Sequence, residues 1–269
     1  MAFGAARAER GSLTGARAAE EVTRPGASPA VLALHGFGGT PFEVELAADA
    51  AAQVGLAALA PLLPGHGTHG RDLARLGFRD WSRGAEEGLE RLPGKAIVVG
   101  LSLGSLLALD LAQRRPEKVS ALVLMANAVW LTAPFPRWAL MAAARLRLPD
   151  FAWPKQGPDI GDQTGRATHV SYDAHPVHAA IEVQRAGARL AARLAEVRCP
   201  TLVLHGAKDR TCPVANAWRV AERLGSDDCR VVIFPRSRHI LTRDVEREAV
   251  ARELRDFFQR VASSPDQRA

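Results

Sequence analysis

Gly100-Leu101-Ser102-Leu103-Gly104 follows the apolar run Ala96-Ile97-Val98-Val99 and precedes the helix-prone stretch Leu106-Leu107-Ala108-Leu109-Asp110-Leu111-Ala112. This arrangement predicts a serine on a sharp strand-to-helix elbow. Glycines two residues either side of the serine let strand and helix approach without Cβ clashes, and the hydroxyl then projects from the edge of a sheet. Glycine and serine are common, so the five residues alone also fit an ordinary turn. The strand before and the helix after separate the two readings.

A serine hydroxyl is a weak nucleophile until a base takes its proton and a third group orients that base. Thr201-Leu202-Val203-Leu204 reads as a strand running into His205-Gly206-Ala207-Lys208-Asp209, which places an acid in the loop after a strand. About thirty residues on, Arg230-Val231-Val232-Ile233-Phe234 reads as another strand and leads to Pro235-Arg236-Ser237-Arg238-His239. The chain order Ser102, Asp209, His239 differs from the two other common orders in which such triads occur. His35, His66, His69, His169, His175, His178 and His205 lie outside the loop after the final strand. His35 and His205 each precede a glycine at a strand end and are expected to support turns through hydrogen bonds. His66 and His69 with Asp72 could be drawn as a metal site, but serine activation needs no metal, and neither metal nor cofactor is expected. Asp227 and Asp228 precede the last strand and are expected to be solvated turn carboxylates.

Acyl transfer through a tetrahedral intermediate also needs fixed donors aimed at the oxyanion. His35-Gly36-Phe37-Gly38-Gly39 follows the buried-strand pattern Ala30-Val31-Leu32-Ala33-Leu34 and precedes a helix expected to open at Thr40-Pro41. In a strand-elbow-helix site one donor is the N–H after the nucleophile, that of Leu103, and the second comes from an earlier loop of this kind. Phe37 is the expected second donor. The other reading of this loop is a glycine-rich turn that only reverses the chain.

These segments together resemble the α/β-hydrolase superfamily, and within it the bacterial carboxylesterase and monoacylglycerol-lipase group. The resemblance rests on residues 35–39, Pro61-Leu62-Leu63-Pro64-Gly65-His66-Gly67, Asp80-Trp81, the elbow at 100–104, Cys199-Pro200-Thr201-Leu202-Val203 with Asp209, and Ser237-Arg238-His239-Ile240-Leu241-Thr242-Arg243-Asp244. It implies Ser102 as nucleophile, Asp209 as acid, His239 as base, and Phe37 and Leu103 as oxyanion donors. Ser105 departs from the further glycine that many relatives carry after the elbow, which puts the local helix packing in question.

The 269 residues suffice for one domain with a full core. Apolar strand-like runs alternate with helical segments, the last of them expected over Asp244 to Val261, and the continuous character of the strands predicts a mostly parallel sheet covered by helices on both faces, an α/β fold. The expected organisation is a single domain over 1–269 with an inserted cap at approximately 129–198. Roughly seventy residues between Asn127 and Thr201 exceed what the sheet needs, and they concentrate Trp130, Phe135, Trp138 and Trp153 among prolines. These aromatics either line an acyl or alcohol pocket or hold the cap on the sheet. Ile181, Val183, Leu190, Leu194 and Val197 fall near helical spacing and are expected to be buried.

Three cysteines, Cys199, Cys212 and Cys229, form no C-x-x-C pair and give no disulfide framework. The N-terminal arginines Arg7, Arg10 and Arg17 are not accompanied by an apolar stretch of signal-peptide or membrane-span length, so a cytoplasmic location without stable membrane insertion is expected. The net charge of +6 comes from scattered arginines without interleaved aromatics, which argues against a nucleic-acid partner. Oligomeric state is not legible. The expected activity is hydrolysis of small-molecule carboxylic esters with short to medium acyl groups, extending to monoacylglycerols, through an acyl-enzyme. Thioester or C–C bond hydrolysis, perhydrolysis, or ligand sensing with little turnover are the alternatives on the same framework.

Overall fold

The structure, a computed structural model, describes residues 13–14, 19–131, 152–155 and 157–264, with backbone alone at 13, 14 and 153. The expected aromatics Phe135 and Trp138 and the side chain of Trp153 lie outside the described residues.

Seven strands form one sheet: β1 (Val22–Arg24), β2 (Ala27–Leu34), β3 (Leu56–Ala60), β4 (Ala96–Leu101), β5 (Val119–Met125), β6 (Thr201–Gly206) and β7 (Cys229–Phe234). Their spatial order is β7-β6-β5-β4-β2-β3-β1, with every pairing parallel except that of β1 with β3. The continuous apolar strands are buried on both faces, as the pattern predicted. Leu32, Leu34, Val98, Leu122, Leu124 and Val203 face one core with Trp81, while Val31, Ala33, Ile97, Val99, Val123, Leu202 and Leu204 face the other. Fully burying one such side chain is worth about 1.5–3 kcal/mol.

Helices α2 (Phe78–Glu90), α3 (Leu103–Arg114) and α4 (Val177–Ala191) cover the first face, and α1 (Glu45–Gln53) and α6 (Arg247–Ala262) cover the second. Helix α5 (Ala215–Ala221) lies between β6 and β7 in the chain. Ile181, Val183, Leu190, Leu194 and Val197 are buried, so the helical spacing in this stretch marks packing positions. Between β5 and β6 the chain also forms two short strands, Ala152–Pro154 and Ala174–Pro176, which pair antiparallel.

Two helix starts differ from expectation. The segment after Thr40 begins with a single 3₁₀ turn, Pro41–Glu43, before α1. The last helix begins at Arg247 and not at Asp244, because the Asp244 carboxylate is used elsewhere. It accepts the N–H groups of Gly161, Asp162 and Val245 on Oδ1 and of Arg238 on Oδ2.

Candidate active site

In open α/β sheets, ligands bind outside the carboxyl ends of the strands, where the strand order reverses. The C-terminal ends of the adjacent strands β2 and β4 carry the His35 loop and the Ser102 elbow, and those of β6 and β7 carry Asp209 and His239. Parallel winding therefore collects at one sheet edge residues that are far apart in the chain.

The elbow is sterically tight. Ser102 has φ 55°, a left-handed conformation that costs a non-glycine residue about 1–3 kcal/mol. A Cβ on Gly100 would stand 2.1 Å from the Gly104 carbonyl oxygen, and one on Gly104 would stand 2.0 Å from that of Leu34. Both positions demand glycine. Ser105, the departure noted in the sequence, packs without disturbance: its buried hydroxyl donates to the Ser102 carbonyl at 2.5 Å and accepts the Ala128 N–H at 3.3 Å.

Asp209 and His239 are brought together, with Nδ1 of the histidine 2.9 Å from Oδ2 of the acid. The other oxygen of Asp209 accepts the N–H groups of Thr211 and Cys212, each at 2.8 Å. Burial disfavours the Asp209 carboxylate, but the His239 charge and the bonds from His205 and His239 outweigh it and hold its pKa well below the usual range. Burial likewise opposes the His239 imidazolium, and the Asp209 carboxylate overcomes this and raises the histidine above its ordinary value. The Arg238 N–H on Asp244 ties down the loop that presents His239.

Two neighbours of this pair have contacts to it that the sequence pattern does not show. His205, expected to serve only its turn, reaches Asp209 Oδ2 with Nε2 at 3.0 Å. Cys212 is fully buried, and its Sγ lies within 4.8 Å of donor atoms of both Asp209 and His239. Burial pushes that thiol's pKa up, leaving it protonated at neutral pH. The position of Cys212, three residues after the acid, was the available signal. Asp209, Cys212 and His239 also present donor atoms within 4.8 Å of one another, the one group among the described residues whose spacing could hold a metal ion.

The glycine loop lies beside the serine: a Cβ on Gly36 would stand 3.5 Å from Ser102 Cβ. Gly36 donates its N–H to Glu43 Oε2 at 2.8 Å, and the Gly39 N–H bonds to the Gly36 carbonyl at 3.2 Å. Among the described residues, the N–H groups of Phe37 and Leu103 have no hydrogen-bond acceptor. Leu103 is the first residue of α3, where helix geometry leaves N–H groups without an intrahelical partner.

The remaining histidines have other surroundings. His35 bonds to Gly36 O and accepts the Leu63 N–H, and burial lowers its pKa to about 4. His66 packs edge-on against His35, Phe37 and Trp81, while Asp72 takes the hydroxyl of Thr68 and the N–H of His69. The His66, His69, Asp72 set thus divides between a packed ring and a helix cap. His169 Nε2 lies 3.4 Å from Glu43 Oε1, and burial holds this imidazole at about 3. Asp227 is exposed and Asp228 pairs with Arg260 at 2.5 Å. Trp130 lies under the guanidinium groups of Arg219 and Arg223, 4.2 and 5.1 Å from its ring centroid, and its carbonyl accepts from Asn216.

Comparison with known proteins agrees with this architecture. Residues 26–246 match the family Hydrolase_4, described as serine aminopeptidase, S33. The chain is 29% identical to a thermostable monoacylglycerol lipase of Bacillus sp. (strain H-257), over 86% of this chain and 91% of that one. It is 32% identical to a pimeloyl-[acyl-carrier protein] methyl ester esterase of Aromatoleum aromaticum, over 81% of this chain and 98% of the relative. A solved structure from work on LipS and LipT, two metagenome-derived lipolytic enzymes, superposes with a TM-score of 0.83 at 25% identity, covering 92% of this chain and all of that one (100%). A seven-stranded sheet of this order, a strained serine elbow between β4 and α3, and a family match over most of the chain lead to one assignment: the protein belongs to the Hydrolase_4 (serine aminopeptidase, S33) family of the α/β-hydrolase superfamily.

Proposed function

We propose that this chain, a carboxylic-ester hydrolase by family and relatives, cleaves esters with short to medium acyl groups, monoacylglycerols among them, through Ser102, His239 and Asp209. His239 takes the Ser102 proton as the hydroxyl oxygen attacks the ester carbonyl. The N–H groups of Phe37 and Leu103 receive the oxyanion, and among the described residues neither has another acceptor. Asp209 holds the proton-bearing Nδ1 of His239 and stabilises the imidazolium. The imidazolium protonates the departing alcohol, and His239 then activates the water that releases the acid. The observation that carries this reading is the 2.9 Å contact of Asp209 with His239 at the sheet edge that also bears the Ser102 elbow.

In this reading residues 1–269 form a single domain, and approximately 129–198 act as its cap. The support is that this stretch leaves the sheet after β5, returns at β6, and places His175 and Tyr172 over the glycine loop. A cytoplasmic location is part of the proposal, supported by three free cysteines. No described helix is long and apolar enough to cross a membrane.

Nitrophenyl esters of graded acyl length test the reading. A burst of nitrophenol equal to the enzyme concentration, followed by steady turnover that favours short to medium chains, is expected of an acyl-enzyme. Turnover confined to thioesters or C–C substrates would reassign the reaction. Binding without turnover would make the protein a sensor.

A further inference from the structure

Lys155 and His175 bring two nitrogen atoms to one point beside the glycine loop. A Cβ on Gly38 would stand 3.4 Å from Lys155 Nζ and 3.7 Å from His175 Nδ1. Gly38 follows Phe37, whose ring stacks on His175 at 5.1 Å between centroids and 19° between planes. The backbone sets this position: Trp153 pairs with His175 and Pro154 with Ala174, and the Lys155 N–H continues the ladder to the Asp173 carbonyl at 2.8 Å. Two residues before the Ala174–Pro176 strand, the Tyr172 N–H ties the chain to the Gly38 carbonyl at 2.9 Å.

Among the described residues neither nitrogen has a partner. His175 Nδ1 is buried without a hydrogen bond there. Among the described residues, the Lys155 ammonium has neither a hydrogen bond nor a carboxylate within salt-bridge reach. Desolvation lowers its pKa to about 8 while the fields of Glu43 and Asp173 oppose the change, so the ammonium keeps its charge at neutral pH. Glu43 is already engaged by the Gly36 N–H and lies against His169. Among the described residues two further buried imidazole nitrogens, His66 Nε2 and His169 Nδ1, also lack partners, but the Pro64 carbonyl and Glu43 face the other nitrogen of each ring, so these two are acceptors and only His175 Nδ1 is open to carry a proton toward a ligand. Buried polar groups are rarely left unpaired, and a desolvated ammonium beside an imidazole nitrogen without a partner marks a place where a ligand supplies the acceptors.

We propose that Lys155 and His175 form an anion-recognition subsite beside the oxyanion loop, so that the preferred substrates are esters carrying a carboxylate close to the scissile bond. The ammonium takes one carboxylate oxygen, and the neutral imidazole, protonated on Nδ1, donates to the other. The inference rests on ester hydrolysis at Ser102. The carboxylate can sit on either half of the ester, in the acyl group of a dicarboxylic half-ester or in the alcohol of a hydroxy-acid ester.

Matched pairs of esters test it in two arms. Mono-(4-nitrophenyl) glutarate is compared with its methyl-blocked neutral form, and butyryl 4-hydroxybenzoate with the corresponding methyl 4-hydroxybenzoate ester. The wild-type kcat/KM should favour the anionic member in one arm, which identifies the half that carries the charge. Lys155→Met should lower that anionic-to-neutral ratio by on the order of 10- to 100-fold, and Lys155→Arg should retain most of it. A ratio near one in both arms for the wild type, or a ratio unmoved by Lys155→Met, would overturn the proposal. So would equal losses on both members of a pair, which mark a structural role. If Lys155→Met does not fold, the wild-type ratio and competitive inhibition of neutral-ester hydrolysis by free glutarate decide the matter, and absence of both overturns it. Ser102-dependent turnover of the neutral esters separates the two levels: with it, a missing anion preference removes only the subsite. Without turnover of any ester, the esterase reading itself fails.

Discussion

His205 Nε2 lies 3.0 Å from Asp209 Oδ2, the same oxygen that meets His239 Nδ1 at 2.9 Å, and both the His205 and Asp209 side chains are fully buried. The acid is therefore held between two imidazoles. His205 Nε2 also faces the Cys212 carbonyl at 3.1 Å, and since both neighbours are acceptors, the proton is assigned to Nε2.

His205→Phe removes that donor from the acid and leaves the Cys212 carbonyl without it. We expect kcat to fall by about 10-fold and stability by about 1–3 kcal/mol. His205→Gln, whose amide can donate to the same oxygen, should recover part of both. Ester kinetics and denaturant unfolding of the two variants check this, and an unchanged kcat for His205→Phe would show that the contact is idle.

The pH profile follows from the sign of the His239 shift. In the proposed mechanism His239 must be neutral to accept the Ser102 proton, and against the effect of burial Asp209 raises its pKa above the ordinary value of about 6.5. Below the raised pKa the imidazolium is inactive, so kcat/KM should climb with pH through a midpoint above about 6.5 and be lost on the acid side. Asp209→Asn removes the charge that favours the imidazolium, so the much weaker residual activity should have a lower midpoint. A wild-type midpoint below that of free histidine would contradict the coupling.

Strain at Ser102, the proposed nucleophile, predicts opposite effects on stability and activity. At φ 55°, Ser102→Gly relieves about 1–3 kcal/mol of strain, set against about 0.5–1 kcal/mol of added chain entropy. Ser102→Ala keeps the strain. Both should lose ester turnover by on the order of 10⁴- to 10⁶-fold, and the glycine variant should melt at the higher temperature. If the alanine variant were the more stable of the two, the elbow would not be storing strain.

The parts of the site that could be read from the sequence were those written locally. Gly100 and Gly104 flank the serine because backbone atoms stand where their Cβ atoms would be, and that constraint has a fixed spacing. Asp209 and His239, which the structure brings to 2.9 Å, could be singled out because each follows its own apolar strand. His205, Cys212, Lys155 and His175 were not, because their meaning comes from contacts across the sheet edge and from the strand pairing of Ala152–Pro154 with Ala174–Pro176. Asp244 was read as the start of a helix. Its carboxylate instead binds four backbone N–H groups, two of them about eighty residues away in the chain.

Trp130 illustrates an alternative that only side-chain packing resolves. Its ring is covered by Arg219 and Arg223 of and beside α5, so truncation should act on stability. Trp130→Ala is expected to cost about 1–2 kcal/mol from these cation–π contacts and to leave the order of preference among acyl chain lengths unchanged. A shifted chain-length optimum would move Trp130 into the substrate pocket.

Covalent labelling locates the nucleophile most directly. After reaction with a fluorophosphonate, intact-mass measurement should show one adduct per chain, and peptide mapping should place it on Ser102. The adduct should be absent in Ser102→Ala and form far more slowly in His239→Ala. A stoichiometric adduct on any other residue, or one that persists in Ser102→Ala, would contradict the assignment of Ser102 as the group that attacks the ester.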